Sequence, residues 1–241
     1  MEGNAQIDGV PGTGSPIMLN FFDTAGSTTG KVLPTGNPVD TLDVEGYGKF
    51  DVSIIDAGNV VVFIEAESLG LKGTENCAFY EADKELMKKI EAIRGTATVK
   101  IGLAKSLKDA TENVAYAPFF AVVSKPADYT SELTGKPVQK KDVDIVSRLT
   151  FMLHMHKTYP VTGAVATGAG ARIPGTLIYK QLDDDAKNRA EFRIGHPGGV
   201  MFMDSIIKQG SNPPAFERLA CVRTARRIME GTVYVRNSVL K

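Results

Sequence analysis

Apolar and polar residues alternate or cluster in short runs along most of the chain, which predicts many short β-strands. Strict alternation is typical of a half-buried strand, and an uninterrupted apolar run is typical of a strand buried on both faces. The predicted strands lie at residues 16–22, 31–33, 47–55, 60–64, 117–124, 142–152, 191–194, 200–207 and 230–235. Residues 56–59 separate two of them, and we expect a hairpin turn there because Gly and Asn tolerate positive φ.

Apolar positions at helical spacing predict helices between these strands. Within residues 83–94, four apolar side chains share one helical face, and the charges between them form a solvated face. The apolar residues are Leu86, Met87, Ile90 and Ile93. Residues 96–103 fit either a continuation of this helix or a strand, and residues 162–172 predict a second helix. Strands interrupted by two or three helices predict the α+β class.

The stretch from His154 to Thr176 combines polar, proton-carrying residues with a run of small residues. Pro160 separates the two parts and suits the first turn of a helix, where its missing N–H would have no intrahelical partner. A helix N-terminus attracts anions through its free N–H groups and the positive end of its dipole. Alternatively, the small residues serve only close packing of a helix against a sheet. The residues alone leave both interpretations open.

Composition and charge exclude several broad classes. The 241 residues are 43% apolar and 23% charged, which is enough for a packed core. Lys plus Arg balance Asp plus Glu at 28 each, so bulk charge predicts no nucleic-acid or membrane-surface partner. No apolar run is long enough to span a bilayer, and the start of the chain has no signal-peptide pattern. Cys77 and Cys221 are far apart, so we expect a cytoplasmic protein with reduced, buried thiols.

Few residues form a recognisable catalytic pattern. His154, His156 and His196 could form a three-histidine metal site, but no Asp, Glu or Cys lies nearby in the sequence, so we predict no metal. The chain contains no nucleophile elbow, dinucleotide fingerprint or P-loop. Cysteine–histidine catalysis would need Cys77 or Cys221 in an electropositive cleft.

A polar rim remains beside the predicted helix N-terminus. Its members are His156, Lys157, Thr162, His196 and Asn59. Such a rim, together with helix N–H donors, suits the binding of a carboxylated small molecule and the movement of a proton at a neighbouring carbon.

Several short sequence motifs (called phrases below), taken together, resemble those of one family. They lie at residues 7–13, 30–37, 56–59, 155–157, 162–164, 171–176, 196–199 and 223–231. They make the chain similar to the 2-methylaconitate cis-trans isomerase family, which includes 4-oxalomesaconate tautomerase. The resemblance covers nearly all of the 241 residues.

The resemblance implies a fold like that of diaminopimelate epimerase, in which two α+β halves enclose the active site in the cleft between them. Family members are longer, and this chain resembles their C-terminal portion, without most of the first half. We therefore predict a remnant of the first half at residues 1–45. Residues 46–241 would form one complete half, a mixed sheet wrapped around a central helix, with the last residues packing back on the first half.

The resemblance also implies an activity and a set of site residues. The family catalyses a cofactor-independent allylic proton shift on an unsaturated di- or tricarboxylate. The segments that carry the family's catalytic lysine and cysteine have no counterpart here, so no catalytic residue is assigned, and Lys31 is not promoted to that role. The expected substrate-binding residues are Asn59, His156, Lys157, Thr162, Gly163, Ala164, His196, Gly198 and Gly199.

Three functional hypotheses follow from these observations. The first is an isomerase of the methylaconitate or oxalomesaconate type, whose activity as a truncated chain depends on the missing half. The second is a non-catalytic carboxylate-binding or assembly module left after loss of the first half. The third, which has the least support, is an unrelated metal hydrolase. A homo-oligomer would hide an exposed sheet edge in either of the first two cases.

Overall fold

The structure, a computed structural model, describes residues 3–239 and intermixes strands and helices, which confirms the α+β class. Residues 1, 2, 240 and 241, at the ends of the predicted domains, lie outside the described residues. The strands are β1 (Ser15–Asn20), β2 (Asp40–Val44), β3 (Gly48–Ala57), β4 (Asn59–Glu65), β5 (Phe119–Ser124), β6 (Tyr129–Thr130), β7 (Pro137–Val138), β8 (Ile145–Phe151), β9 (His154–Met155), β10 (Glu191–His196), β11 (Gly199–Ile207) and β12 (Phe216–Ala225). The helices are α1 (Cys77–Ala82), α2 (Lys84–Lys100), α3 (Leu107–Glu112), α4 (Val161–Gly170), α5 (Leu177–Gln181) and α6 (Asp184–Asn188).

A 10-stranded mixed sheet forms most of the fold, in the order β1-β12-β11-β10-β8-β5-β4-β3-β2, with β9 paired to β8. The β4–β5 and β8–β10 pairs are parallel, and the other pairs of this sheet are antiparallel. Both ends of this order, β1 and β2, come from residues 1–45. The predicted domain boundary falls in the turn between β2 and β3, and the division into two domains stays a prediction.

Helix α4 lies at the centre of this sheet. It contacts β3 and β4 towards one edge and β11 and β12 towards the other, so the sheet wraps around a central helix, as predicted. Residues 163–170 are all buried. A Cβ atom on Gly168 would lie 2.5 Å from the Ser205 hydroxyl, and one on Gly163 would lie 2.8 Å from a methyl group of Leu149. Close packing therefore requires small residues along this helix.

Helix α2 covers the other face of the sheet through its apolar side. Leu86, Ile90 and Ile93 are buried and pack in one cluster with the sheet residues Val62 and Phe120. This confirms the predicted apolar face, while Met87 lies at its half-buried margin. The helix continues to Lys100, so residues 96–100 are helical, whereas residues 101–103 form a turn.

The hairpin predicted around residues 56–59 is present as β3 and β4, and Gly58 at its turn has a φ of 68°. The strand predicted at residues 31–33 is wrong. Val32 and Leu33 are buried, but they lie in a bend whose position is set by a tertiary contact, because the Val32 carbonyl accepts a hydrogen bond from the Asp56 N–H.

The strand predicted at residues 230–235 is also wrong, since residues 226–236 contain no helix or strand. A short helix, α3, lies at residues 107–112. Ser106 caps this helix by accepting a hydrogen bond from the Asp109 N–H, as serine does at helix starts. Helix α4 begins one residue earlier and ends two residues earlier than predicted.

Candidate functional site

The predicted substrate-binding residues lie at the ends of elements that meet around the start of α4. Asn59 begins β4, and His156 and Lys157 lie between β9 and α4. Thr162, Gly163 and Ala164 belong to the first turn of α4, while His196, Gly198 and Gly199 belong to the β10–β11 hairpin. Their role in binding substrate stays a prediction.

The β10–β11 hairpin holds His196 inside the protein. His196 pairs with Gly199 across the turn and is only 2% exposed. Its Nδ1 atom accepts a hydrogen bond of 3.1 Å from the Gly198 N–H. A Cβ atom on Gly198 would lie 3.2 Å from a methyl group of Thr158 and 3.3 Å from the His196 ring, so glycine allows this close approach.

His156 and Thr158 face the same hairpin from the loop before α4. The Thr158 N–H lies 3.2 Å from His156 Nδ1, and the Thr158 hydroxyl lies at the same distance. Burial lowers the pKa of His156. Burial is the main cause that lowers the pKa of His196 to about 3, and the positive charges of Arg148, His156 and Arg223 contribute to the same shift. His196 is therefore neutral at physiological pH.

A cavity of about 240 Å³ opens beside His196. Tyr159, Thr158 and Arg223 line it, together with residues 7–10 of the N-terminal loop. The N-terminal loop is attached there because Asp8 accepts a hydrogen bond of 2.8 Å from the Val200 N–H. The cavity thus combines a neutral imidazole and an arginine with the Asp8 carboxylate, which is already bonded to a backbone N–H. The imidazole and the arginine are the groups that suit a carboxylate ligand.

Tyr159 is buried between the cavity beside His196 and helix α4. Its hydroxyl lies 2.9 Å from the Ser147 hydroxyl and 3.0 Å from the Thr167 hydroxyl, and its ring centre lies 6.2 Å from that of His196. Complete burial raises the pKa of Tyr159, so the hydroxyl stays protonated. Tyr159 therefore positions the chain between the hairpin and α4.

The start of α4 forms a second group with the β3–β4 turn. Pro160 occupies the N-cap position, one residue before the predicted place. A Cβ atom on Gly58 would lie 3.2 Å from the Thr162 carbonyl oxygen and 3.0 Å from Val165, so the turn before Asn59 packs directly on the helix. The Asn59 side chain accepts a hydrogen bond from the Val60 N–H.

Of the predicted residues, His196 lines the 240 Å³ cavity and Gly198 bonds to its ring, whereas His156 is not among the lining residues. Asn59 and the first turn of α4 form a separate group. Thr162, Gly163 and Ala164 are not among the residues that line the 240 Å³ cavity. Lys157 is exposed.

Sequence reasoning missed Asp8 and Arg223, which line the cavity, and Arg148, which lies behind it. Asp8 and Arg223 belong to phrases that carry the family resemblance, so a signal for them existed. Arg148 had no such signal, because its position inside an alternating strand is typical of an exposed side chain. It is instead 1% exposed.

The other chemistries considered from the sequence gain no support. Among residues 3–239, no group of three or more His, Cys, Asp and Glu side chains could hold a metal ion. His154 lies apart from the cavity, with its Nδ1 atom 4.0 Å from Glu81. Cys77 and Cys221 are buried, and burial is the main cause that raises both thiol pKa values, that of Cys77 to about 12. Neither thiol is therefore a reactive nucleophile.

No helix within the described residues is both long and apolar enough to cross a membrane.

Comparison with known proteins identifies clear relatives. The chain is 45% identical over 240 residues to 3-methylitaconate isomerase of Eubacterium barkeri, and the match covers 100% of this chain and 62% of that protein. It is 34% identical over 236 residues to 2-methyl-aconitate isomerase of Shewanella oneidensis, covering 97% of this chain and 58% of that protein. The crystal structure of methylitaconate-delta-isomerase superposes with a TM-score of 0.91 at 45% identity, covering 100% of this chain and 60% of that one.

These relatives are longer than this chain, which spans 62% of the length of the first and 58% of the second. The family model described as PrpF protein matches residues 1–236. The expectation that the chain keeps only the C-terminal portion of the family's domain is therefore not supported by this match. The family predicted from the sequence is confirmed: the chain belongs to the PrpF protein family.

Proposed function

We propose that this chain provides the carboxylate-binding part of an isomerase that moves an allylic proton in an unsaturated di- or tricarboxylate without a cofactor. The observation that carries this proposal is the cavity shared by His196 and Arg223. The proposal is also supported by the relatives, which are named as isomerases of methylitaconate and methylaconitate.

The chemistry of the cavity fits an anionic ligand. Arg223 supplies a permanent positive charge and His196 a neutral ring beside it. A proton shift next to a carboxylate builds negative charge on the substrate, and fixed donors in a site shielded from water stabilise that charge.

One observation favours the alternative, a non-catalytic carboxylate-binding or assembly module. Both cysteines are buried with raised pKa values, so neither supplies a thiolate that could remove a proton from a carbon atom. The isolated chain would then bind the acid without converting it.

The test is hydrogen exchange in D2O, followed by proton NMR, after mixing the purified chain with cis-aconitate or 2-methylaconitate. We expect deuterium incorporation and a shifted double bond. Arg223→Gln should abolish both, whereas His154→Gln, on the far side of β9, should leave them unchanged. A thermal shift with these acids but no exchange supports the binding module instead. Neither exchange nor a thermal shift contradicts both functions.

A further inference from the structure

The rings of His156 and His196 share one arrangement. The Gly198 N–H donates to Nδ1 of His196 at 3.1 Å, and the Thr158 N–H donates to Nδ1 of His156 at 3.2 Å. A ring nitrogen that accepts a hydrogen bond from a backbone N–H carries no proton, so the proton of the neutral ring lies on Nε2. Within residues 3–239, the Nε2 atoms of His156 and His196 have no hydrogen-bond partner. These N–H groups are thus available to a ligand.

Tyr129 supports the His196 turn from behind. Its hydroxyl lies 2.9 Å from the carbonyl oxygen of His196 and 2.7 Å from that of Gly199, so it shares its proton between the two ends of the turn. Burial raises the pKa of Tyr129, which keeps this proton in place. The guanidinium carbon of Arg148 lies 4.8 Å from the centre of the Tyr129 ring and fixes the ring by a cation–π contact.

Arg148 is an unusual buried cation. Its guanidinium donates to backbone carbonyl oxygens, including one before α1 at 2.8 Å, and to no carboxylate among the described residues. Its charge acts strongly on its neighbours because little water screens a charge inside the protein. It therefore opposes a second proton on the His196 ring.

Other charged and titratable groups face His196 from several elements. They are Arg223 on β12, His156 after β9, Tyr129 on β6, Tyr159 before α4, Asp8 in the N-terminal loop and Glu132, whose N–H donates to the Pro197 carbonyl oxygen at 2.7 Å. The Asp8 carboxylate already accepts the Val200 N–H, and the Glu132 carboxylate accepts the Cys77 N–H. Both acids are thus engaged by backbone donors.

We infer that Arg148 and Tyr129 are positioning residues that hold His196 as a neutral Nε2–H donor, so that His196 binds a carboxylate oxygen and takes no part in proton transfer. The lone pair that would make the ring a base is occupied by the Gly198 N–H. The identity of the ligand as a carboxylate rests on the proposed function, whereas the state of the ring is a property of the protein without ligand.

The test is long-range ¹H–¹⁵N NMR of the full chain labelled with [¹⁵N]histidine, recorded over a pH series. In the native protein we expect His196 to show only the Nε2–H tautomer and no titration near the value of about 6.5 for free histidine. Arg148→Met should raise the pKa of His196 by about one unit, a roughly tenfold change in proton affinity. Arg148→Lys, which keeps the charge, should restore the native value.

Tyr129→Phe keeps the charge but removes the hydroxyl that joins the two ends of the turn. We expect a second population with the proton on Nδ1, while Tyr116→Phe, on an exposed loop, leaves the native spectrum. A native His196 that is charged or protonated on Nδ1 overturns the inference. The inference is also overturned if His196 keeps its native tautomer and pKa in both Arg148→Met and Tyr129→Phe. If Arg148→Met does not fold, an unchanged ring in Tyr129→Phe alone overturns it.

Adding cis-aconitate in the same experiment separates this inference from the proposed function. A change in the His196 Nε2–H resonance supports the assigned role in binding. No change contradicts carboxylate binding by His196, although the tautomer and its dependence on Arg148 would still be visible in the protein without ligand.

Discussion

Burial of neutral His196 makes the folded protein sensitive to acid. The group has a pKa of about 3 in the folded state and about 6.5 in the unfolded chain. Between these two values the unfolded chain binds more protons, so the free energy of unfolding decreases as the pH falls. From these two pKa values, His196 alone lowers the free energy of unfolding by about 1.2 kcal/mol when the pH falls from about 7 to about 5.5.

The measurement is urea unfolding of the native chain and of His196→Gln at about these two pH values. The variant has no imidazole to protonate at this position, so its stability should fall by about 1.2 kcal/mol less than that of the native chain. For a chain of this size the difference corresponds to about 2–5 °C in Tm. His154→Gln is the matched control, because the His154 side chain is 82% exposed and should behave as the native chain does.

An equal loss of stability in the native chain and in His196→Gln would refute the reasoning. It would mean that His196 keeps nearly the same proton affinity in the folded and unfolded states, and that the ring is not held neutral by its surroundings. The lowered pKa of His156 acts in the same direction but affects both proteins alike.

Two further predictions concern buried polar contacts that hold the site. Tyr159→Phe removes the hydroxyl between two other buried hydroxyl groups. It should lower the free energy of unfolding by about 1–3 kcal/mol, whereas Tyr116→Phe, at an exposed position, should leave that free energy nearly unchanged. The same loss of stability in both variants would contradict the role of this contact. Asp56→Ala removes the acceptor for the N–H groups of Thr28 and Thr29. It should cost about 2–3 kcal/mol and speed hydrogen exchange at these two amides, and unchanged exchange there would show that the loop is held by other contacts.

The histidines show how far sequence reasoning reached at the site. Their polar character and their place in the family phrases predicted His156 and His196 as site residues, and the structure brings them together. The same reasoning assigned the polar rim a role in moving protons. It could not reveal that both Nδ1 atoms are occupied by backbone donors, since this depends on the exact turn around each ring.

The first turn of α4 shows the opposite case. The sequence offered an anion site and a packing face as alternatives. The packing contacts of Gly163 and Gly168 account for the small residues within the helix, and the free N–H groups of the first turn are a consequence of any helix start. These contacts support the packing interpretation, while the anion site at the first turn stays a prediction.

The sequence by itself determined the α+β class, the β3–β4 hairpin, the apolar face of α2 and the family, because these depend on local periodicity or on short motifs and their order along the chain. Only the tertiary structure decided that Val32 lies in a bend instead of a strand and that buried Arg148 donates to backbone carbonyl oxygens. Both depend on contacts between residues far apart in sequence, with Asp56 in one case and with Tyr129 and the segment before α1 in the other. Such contacts leave no periodic pattern, since each is set by how the sheet closes around α4.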